Sequence, residues 1–302
     1  MKRNCLRLFV AAGWLGLAGL TLPAQTSAHG LQLTGLINLP SQPKAALIYQ
    51  TRPPWPVAQM LVAGEGQRDQ GVELRALNAR TGTVEVRVDS TGIAAMPGKL
   101  GDHILQMPPG AATATDAEPT LWLQDVDVST ALDCFAQFTR RTVLKHPALT
   151  RNPISLRCTA TNLAAVLAEL EQALATNNVV LLPDGPRFTQ ALPTAFVQRA
   201  RTNAPAPVAG DAATNFKAGE LFFSGVDVRR VASAYYAPLL NRTLDSETSN
   251  LPILNAPIFF RNHSDLTRAE FLYALDTHFA WYGVKLVAYG EKVLKVAPVN
   301  FK

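Results

Sequence analysis

The sequence LWLQDVDV at residues 121–128 has a near-copy, LFFSGVDV, one hundred residues further along the chain at 221–228. The offset between matching residues then drifts from 100 to 105, as short loop insertions within one shared fold would produce. An internal repeat of this kind predicts two copies of one module. The later matches keep the same order in both copies: Arg141-Thr142 with Arg242-Thr243, Pro153-Ile154 with Pro257-Ile258, Val166, Leu167 and Leu170 with Phe271, Leu272 and Leu275, Asn178-Val179 with Gly283-Val284, and Gly185 with Gly290.

Each copy is predicted to have the element order β-α-β-β-α-β-β. Asp127 and Asp227 precede helical apolar patterns and are predicted N-caps, because a carboxylate there accepts from free N–H groups of the first turn. Two helices on one face of a small sheet make an α+β fold. The first copy is predicted to contain strands at 121–124, 142–145, 153–158, 179–182 and 187–191, and helices at 128–138 and 163–175. The second is predicted to contain strands at 220–224, 242–245, 256–261, 284–289 and 292–297, and helices at 228–239 and 267–282.

Residues 31–93 have a different pattern, with several short alternating runs separated by turns. Val72–Leu77 and Thr83–Val88 alternate strictly, which predicts a small all-β sandwich or barrel. Two stretches rich in Pro, Ala, Gly and Thr lack apolar periodicity and are predicted linkers. The predicted organisation is therefore a β domain at 31–93, a linker at 94–119, a first module at 120–192, a linker at 193–216 and a second module at 217–299.

Residues 1–28 are typical of a secretory signal peptide. Basic residues precede an apolar run from Leu8 to Leu22, and small residues follow as far as Ala28. Cleavage is predicted after Ala28, with Ala24 as a second position. The alternative is an uncleaved anchor in the inner membrane, although the run is short for a span. In both cases we expect the rest of the chain to lie in the periplasm.

The charge balance argues against nucleic-acid binding. The whole chain has 28 Lys and Arg against 23 Asp and Glu, and three of the basic residues, Lys2, Arg3 and Arg7, belong to the predicted signal. The remainder is nearly neutral, whereas a nucleic-acid interface requires clustered basic charge. Nucleic acid is therefore not an expected partner.

Two cysteines, Cys134 and Cys158, remain after the predicted signal. Cys134 lies on the apolar face of a predicted helix and Cys158 on the inward side of a predicted strand, so both should face one core. An oxidising compartment would allow a disulfide between them. The alternative is two free thiols in the core.

Motifs of known enzyme classes are missing from the sequence. It contains no H-E-x-x-H, no G-x-S-x-G and no phosphate-binding loop that ends in Gly-Lys-Ser/Thr. The five histidines lack metal-ligand spacing. In His263-Ser264-Asp265, adjacent residues cannot form a catalytic triad, and Ser264 or Asp265 is predicted to cap a helix that starts near Leu266. We therefore expect no catalytic residues, cofactor, metal or small-molecule substrate.

Two aromatic pairs stand out, Tyr235-Tyr236 and Trp281-Tyr282. The simpler interpretation places one ring of each pair in the core and the other at its rim. The alternative is an exposed aromatic side chain at a protein contact, where Tyr and Trp are favoured.

The repeat resembles the periplasmic N-terminal modules of secretins, the outer-membrane channels of type II and type III secretion and type IV pili. The resemblance lies in the words Val126-Asp127-Val128 and Val226-Asp227-Val228 at the start of a helix, followed by Arg-Thr, Pro-Ile, Gly-Val and Asp-Gly positions, and it covers about half the chain. Residues 31–93 resemble, more weakly, the small β domain of the type II secretion protein C and its pilus lipoprotein counterpart. The words that carry this second resemblance are Leu33-Thr34-Gly35-Leu36, Ala46-Leu47-Ile48 and Gly71-Val72-Glu73-Leu74.

These resemblances imply a periplasmic, non-channel subunit of a type II secretion or type IV pilus-like machine that acts through protein–protein contacts. The expected partners are a secretin or inner-membrane platform proteins, and self-association is a further expectation because such modules pack side by side in rings. Two alternatives remain open. One is a periplasmic enzyme with an unrecognised site, and the other is a signalling module of the TonB-dependent type.

Overall fold

The computed structural model describes residues 31–39, 44–52, 55–69, 72–88, 101–107, 118–150, 152–200, 216–245 and 251–299. Within these residues the protein is mixed α+β, with more strand than helix and several small sheets. The predicted signal at 1–28 and most of the second predicted linker lie outside the described residues. None of the described helices is long and apolar enough to cross a membrane.

The N-terminal part is built of strands. The strands are β1 (Leu31–Ile37), β2 (Ala45–Arg52), β3 (Trp55–Gly64), β4 (Arg68–Asp69), β5 (Val72–Asn78), β6 (Thr83–Val88) and β7 (Gly101–Gln106). β4, β5, β6 and β7 lie in that order in one sheet, while β1, β2 and β3 belong to a second sheet. Aliphatic side chains of both sheets, such as Leu33, Ile48 and Val86, form one core between them.

Strand β7 lies inside the stretch 94–119 that the sequence predicts as a linker. It pairs along its whole length with β6, from Gly101 opposite Val88 to Gln106 opposite Thr83. Leu105 and Met107 are buried in the N-terminal core. The linker prediction is wrong for these residues because the surrounding Pro and Gly obscured a short alternating run.

Residues 118–200 form the first α/β segment, and residues 216–299 form the second. The first contains β8 (Leu121–Val126), α1 (Val128–Thr139), β9 (Thr142–Lys145), β10 (Ile154–Cys158), α2 (Leu163–Thr176), β11 (Val179–Asp184), β12 (Phe188–Pro193) and a 3₁₀ turn (Thr194–Arg199). The second contains β13 (Phe222–Asp227), α3 (Val228–Val231), a π turn (Ala232–Tyr236), α4 (Ala237–Leu239), β14 (Thr243–Leu244), a 3₁₀ turn (Pro252–Asn255), β15 (Pro257–Arg261), α5 (Arg268–Trp281), β16 (Val284–Tyr289) and β17 (Val293–Pro298).

The strand pairings of the two segments are of the same kinds. β8 is antiparallel to β10, as β13 is to β15. β9 is parallel to β12, as β14 is to β17, and each segment closes with an antiparallel hairpin. Left-handed backbone conformations also occur at matching positions: Asp125 and Gly225, Arg140 and Asn241, Asn178 and Gly283, and Gly185 and Gly290.

The π turn accounts for the first step in the sequence offset. From Asp227 to Asn241 the second segment has one residue more than the first has from Asp127 to Arg140. A π turn closes hydrogen bonds one residue later than an α-helix does, so it accommodates the extra residue without unwinding the helix. Residues 233–235 are exposed, which places the bulge on the surface.

A five-stranded sheet joins the N-terminal part to the first α/β segment, in the order β10-β8-β1-β2-β3. β1 pairs with β8 antiparallel, with Gly35 opposite Leu123 and Ile37 opposite Leu121. The sheet is buried on both faces at this point. Leu33 faces the N-terminal core, whereas Ile37 belongs to the core of the first α/β segment.

A β-bulge in β1 directs its side chains to the two cores. The register with β2 shifts between Leu33 and Gly35, so that Thr34 is the extra residue. After a bulge the alternation changes parity. In a regular strand Leu33 and Leu36 would point to opposite faces of the sheet. Because of the bulge both face the N-terminal core, and Ile37 faces the core of the first α/β segment.

Gly35 lies where three strands meet, and a side chain there would collide with its neighbours. A Cβ would lie 2.4 Å from Leu47 Cδ1, 3.0 Å from Leu123 Cδ2 and 3.1 Å from the carbonyl oxygen of Trp122. Leu47 and Leu123 are fully buried, so relief of the overlap would require side chains of the core to shift. Gly35 thus permits the close approach of β1 and β8.

We expect Gly35→Val to lower the free energy of unfolding by about 1–3 kcal/mol, because overpacking of a closed core costs that much. Urea denaturation of the purified protein measures the change. Gly64→Ala is the matched control, since the nearest atoms there belong to the exposed and flexible side chain of Gln67. Equal stability of the Gly35 and Gly64 variants would contradict the close packing of β1 against β8.

Candidate functional site

Asp127 and Asp227 lie where the sequence predicts helix caps. The backbone N–H of Thr130 donates to Asp127 Oδ1 at 2.7 Å, and the N–H of Arg230 donates to Asp227 Oδ1 at the same distance. Both aspartates have extended backbone dihedrals, as N-cap residues should. Their carboxylates are engaged by the backbone, which assigns them a structural role.

Cys134 and Cys158 lie in one core, the core of the first α/β segment, and both thiols are free. The disulfide that the sequence allows is not formed. Burial, reinforced by Asp133, raises the pKa of Cys134 far above its ordinary value, and burial also raises the pKa of Cys158. Because the thiolate is the nucleophilic form, neither cysteine has the character of a reactive thiol.

The predicted cap at Ser264 or Asp265 is wrong. Thr267 caps α5, and its side chain and that of Glu270 form a capping box. Ser264 instead contacts the hydroxyl of Thr142 at 3.0 Å, and Asp265 accepts from Lys217 Nζ and the N–H of Ala218, both at 2.9 Å. The sequence alone did not show that the chain continues extended for two more residues before the helix begins.

The two α/β segments meet at a buried interface of polar and aromatic groups. Leu144 and Phe188 of the first segment belong to the core of the second. Tyr273 donates to the carboxylate of Asp184, and Arg187 Nε lies 3.3 Å from Glu270 Oε1. These contacts hold the segments against each other.

Three histidines line this interface. The ring of His146 lies 4.4 Å from Phe196 and 5.1 Å from Trp281, and the ring of His278 lies 5.1 Å from Trp281. His263 Nε2 lies 3.9 Å from Asp133 Oδ1. Burial lowers the pKa of His146 and of His263 to about 4, and burial lowers that of His278 to about 3. All three are therefore neutral near pH 7.

The pair Tyr235-Tyr236 divides between core and surface, whereas Trp281 and Tyr282 are both half-buried. Tyr236 is buried and its hydroxyl donates to Asp276 Oδ1 at 2.8 Å, whereas Tyr235 is 40% exposed and packs edge-on against Phe223. Trp281 is half-buried against the histidines. Among the described residues, no group of three His, Cys, Asp or Glu side chains is arranged to hold a metal ion.

The edge of β8 binds a strand from the N-terminal part, which sequence reasoning missed. Three residues of β1 pair with β8, and the ladder is extended where the N–H of Asn38 donates to the carbonyl of Thr120 at 2.8 Å. Trp122 on the outer face of β8 packs against the N-terminal core, with Arg157 over its ring at 5.0 Å. Addition of a strand to a sheet edge is a recurrent mode of protein recognition.

The corresponding strand pair of the second segment, β13 with β15, exposes aromatic rings on its outer face. Phe222 is 48% exposed and Phe259 41% exposed, whereas their neighbours Phe223 and Phe260 are buried. Arg261 lies 5.9 Å from the ring of Phe222, as Arg157 lies over Trp122. The adjacent phenylalanines in 222–223 and 259–260 were a visible signal, since alternation must turn one of each pair outward.

Searches against known protein families, curated proteins and solved structures found no match to this chain.

We expect Asp127→Ala and Asp227→Ala each to lower the free energy of unfolding by about 1 kcal/mol, because each leaves first-turn N–H groups without an acceptor. Asp→Asn at the same positions is the control and should retain most of the stability, since the amide oxygen also accepts. Urea denaturation separates the variants. Equal losses for Ala and Asn would mean that the carboxylates do not act as caps.

We expect the protein to lose stability as the pH falls from about 7 towards 4. The folded-state pKa of His146, His263 and His278 lies below the ordinary value of about 6.5, so the unfolded chain binds more protons in this window. Above pH 7 the neutral histidines contribute their full stabilisation. Below pH 7 each histidine lowers the free energy of unfolding by up to about 1.4 kcal/mol per pH unit.

Urea denaturation at intervals from pH 8 to pH 4.5 measures this effect. His278→Phe keeps a ring against Trp281 and removes one proton site, so its stability should fall less steeply with decreasing pH. A wild-type stability that stays constant from pH 7 to pH 5 would contradict the buried neutral histidines.

Proposed function

We propose that the protein is a periplasmic subunit of a type II secretion or type IV pilus-like machine, and that it acts through contacts with other proteins. The observation that carries this proposal is the addition of β1 to the edge of β8. It unites, in one chain, a β domain that resembles that of protein C and a segment that resembles a secretin N-terminal module. In those families such a β domain binds such a module.

The shared architecture of the two α/β segments supports the finer part of the proposal, that they are two copies of one secretin-like module. The kinds of strand pairing, the aspartate caps and the left-handed positions correspond in order. An arginine also has the same role in each, since Arg141 donates to the carbonyl of Gly185 and Arg242 to that of Gly290. In the secretin family such modules pack side by side in rings.

The titratable groups favour binding over catalysis. Catalytic groups with shifted pKa values are expected in an accessible cleft. Here His146, His278 and Cys134 are buried, and burial is the largest cause of the shift in the pKa of each.

The test is a crosslinking pull-down of the tagged protein, residues 29–302, from its native envelope, with the recovered proteins identified by mass spectrometry. We expect recovery of a secretin or an inner-membrane platform protein. An unrelated tagged periplasmic protein is the control for non-specific capture. Recovery of the bait with no component of an envelope machine would contradict the proposal.

A further inference from the structure

The contact of β1 with β8 shows which backbone groups of a module's first strand face a docked strand. The N–H of Asn38 on the β1 side donates to the carbonyl of Thr120. In an antiparallel ladder alternate residues point to the same neighbour. Trp122, two residues further on, therefore directs its N–H and carbonyl towards β1.

The same parity holds at β13, but the neighbouring position is empty in the described part of the chain. The N–H of Asn262 donates to the carbonyl of Leu221 at 3.2 Å, so the backbone carbonyl of Leu221 points to the β15 side. Phe222 and Ser224 then direct their backbone groups to the other edge. Within the described residues, the sheet of β13 ends at that edge with only β15 as its partner.

The free edge of β13 lacks most of the features that keep sheet edges from pairing. Natural edge strands are protected by Lys, Pro, inward-pointing charges or β-bulges. Residues 222–226 read FFSGV and contain no Lys, Pro or charge. The register with β15 does shift between Ser224 and Val226, but β8 has a shift at the equivalent place, beyond the residues that pair with β1. The adjoining outer face presents the exposed rings of Phe222 and Phe259. Gly225 leaves this face bare, since a Cβ there would only touch the ring of Phe259 at 3.5 Å.

We propose that the free edge of β13 binds one antiparallel strand of another polypeptide whose sequence resembles β1, with aliphatic residues around a glycine. In β1, Gly35, Leu36 and Ile37 lie opposite Leu123, Trp122 and Leu121. The docked strand places its glycine opposite Phe223 and its next two aliphatic residues opposite Phe222 and Leu221. The strand comes from a different protein, because β1 of a folded second copy already pairs with β8 on one edge and β2 on the other.

This inference rests on the proposed function in that both require the protein to work through protein contacts. It adds the surface and the chemistry of the partner. Binding of a peptide to the purified protein is independent of the envelope pull-down. Failure of the peptide assay with a successful pull-down would overturn the β13 site alone, and the reverse result would overturn the machine assignment alone.

The experiment measures fluorescence anisotropy of a labelled peptide, LQLTGLINL followed by two lysines, titrated with the protein of residues 29–302. We expect saturable binding that weakens at least about tenfold for Ser224→Pro. Ser224 is exposed, and the substitution removes its backbone N–H from the free edge.

Ile104→Ser is the matched control, because Ile104 is an exposed aliphatic residue on β7 in the N-terminal sheet and should leave peptide binding unchanged. If Ser224→Pro reduces thermal stability, Phe222→Lys serves instead, since it places a charge on the same edge at an exposed position. The edge variant used, Ser224→Pro or Phe222→Lys, should bind the peptide more weakly and keep the wild-type circular dichroism spectrum.

Three results would overturn the proposal. The first is no saturable binding up to the solubility limit of the peptide. The second is equal binding by the wild type and the edge variants, which would place the peptide elsewhere. The third is a dimer in sedimentation equilibrium that Ser224→Pro dissociates, which would assign the edge to a second copy of the chain.

Discussion

The backbone ladder between β1 and β8 is the interaction on which the rest of the molecule depends. It extends one sheet across two parts of the chain that the sequence presents as separate units. Both faces of that sheet are buried, one against the N-terminal core and the other against the helices of the first α/β segment. Gly35 makes the ladder possible, because any side chain there would push β1 away from Leu47 and Leu123.

A second contact, of different chemistry, joins the two α/β segments. It combines apolar packing of Phe188 with charged and hydrogen-bonded pairs such as Arg187 with Glu270 and Tyr273 with Asp184. Buried polar groups of this kind require a particular arrangement of partners to avoid a desolvation penalty. The interface therefore specifies one relative placement of the segments, and its neutral histidines make that placement sensitive to acid.

Strands β8 and β13 differ in what covers their outer faces. Both strands begin a segment of the same element order, and both are followed by an aspartate-capped helix. The outer face of β8 lies under the N-terminal core, whereas the outer face of β13 exposes two phenylalanine rings. The edge of β8 thus pairs with β1 of the same chain. The equivalent edge of β13 has its backbone groups in the same orientation but has no partner strand among the described residues.

Short-range patterns in the sequence predicted most of the helices and strands and two of the helix caps. Asp127 and Asp227 could be recognised because a cap depends on residues within one turn, and the helices and strands followed from their apolar periods. The same patterns misplaced the cap of α5 and overlooked β7, a short strand between stretches rich in Pro and Gly. The paired phenylalanines of β13 and β15 indicated outward rings but not whether another part of the chain would cover them.

Only the tertiary structure decided that β1 adds to β8, that Cys134 and Cys158 stay free, and that the edge of β13 has no neighbour among the described residues. The physical reason is that alternation along a strand specifies which face is apolar, whereas the choice of an edge partner depends on the packing of residues far apart in the sequence.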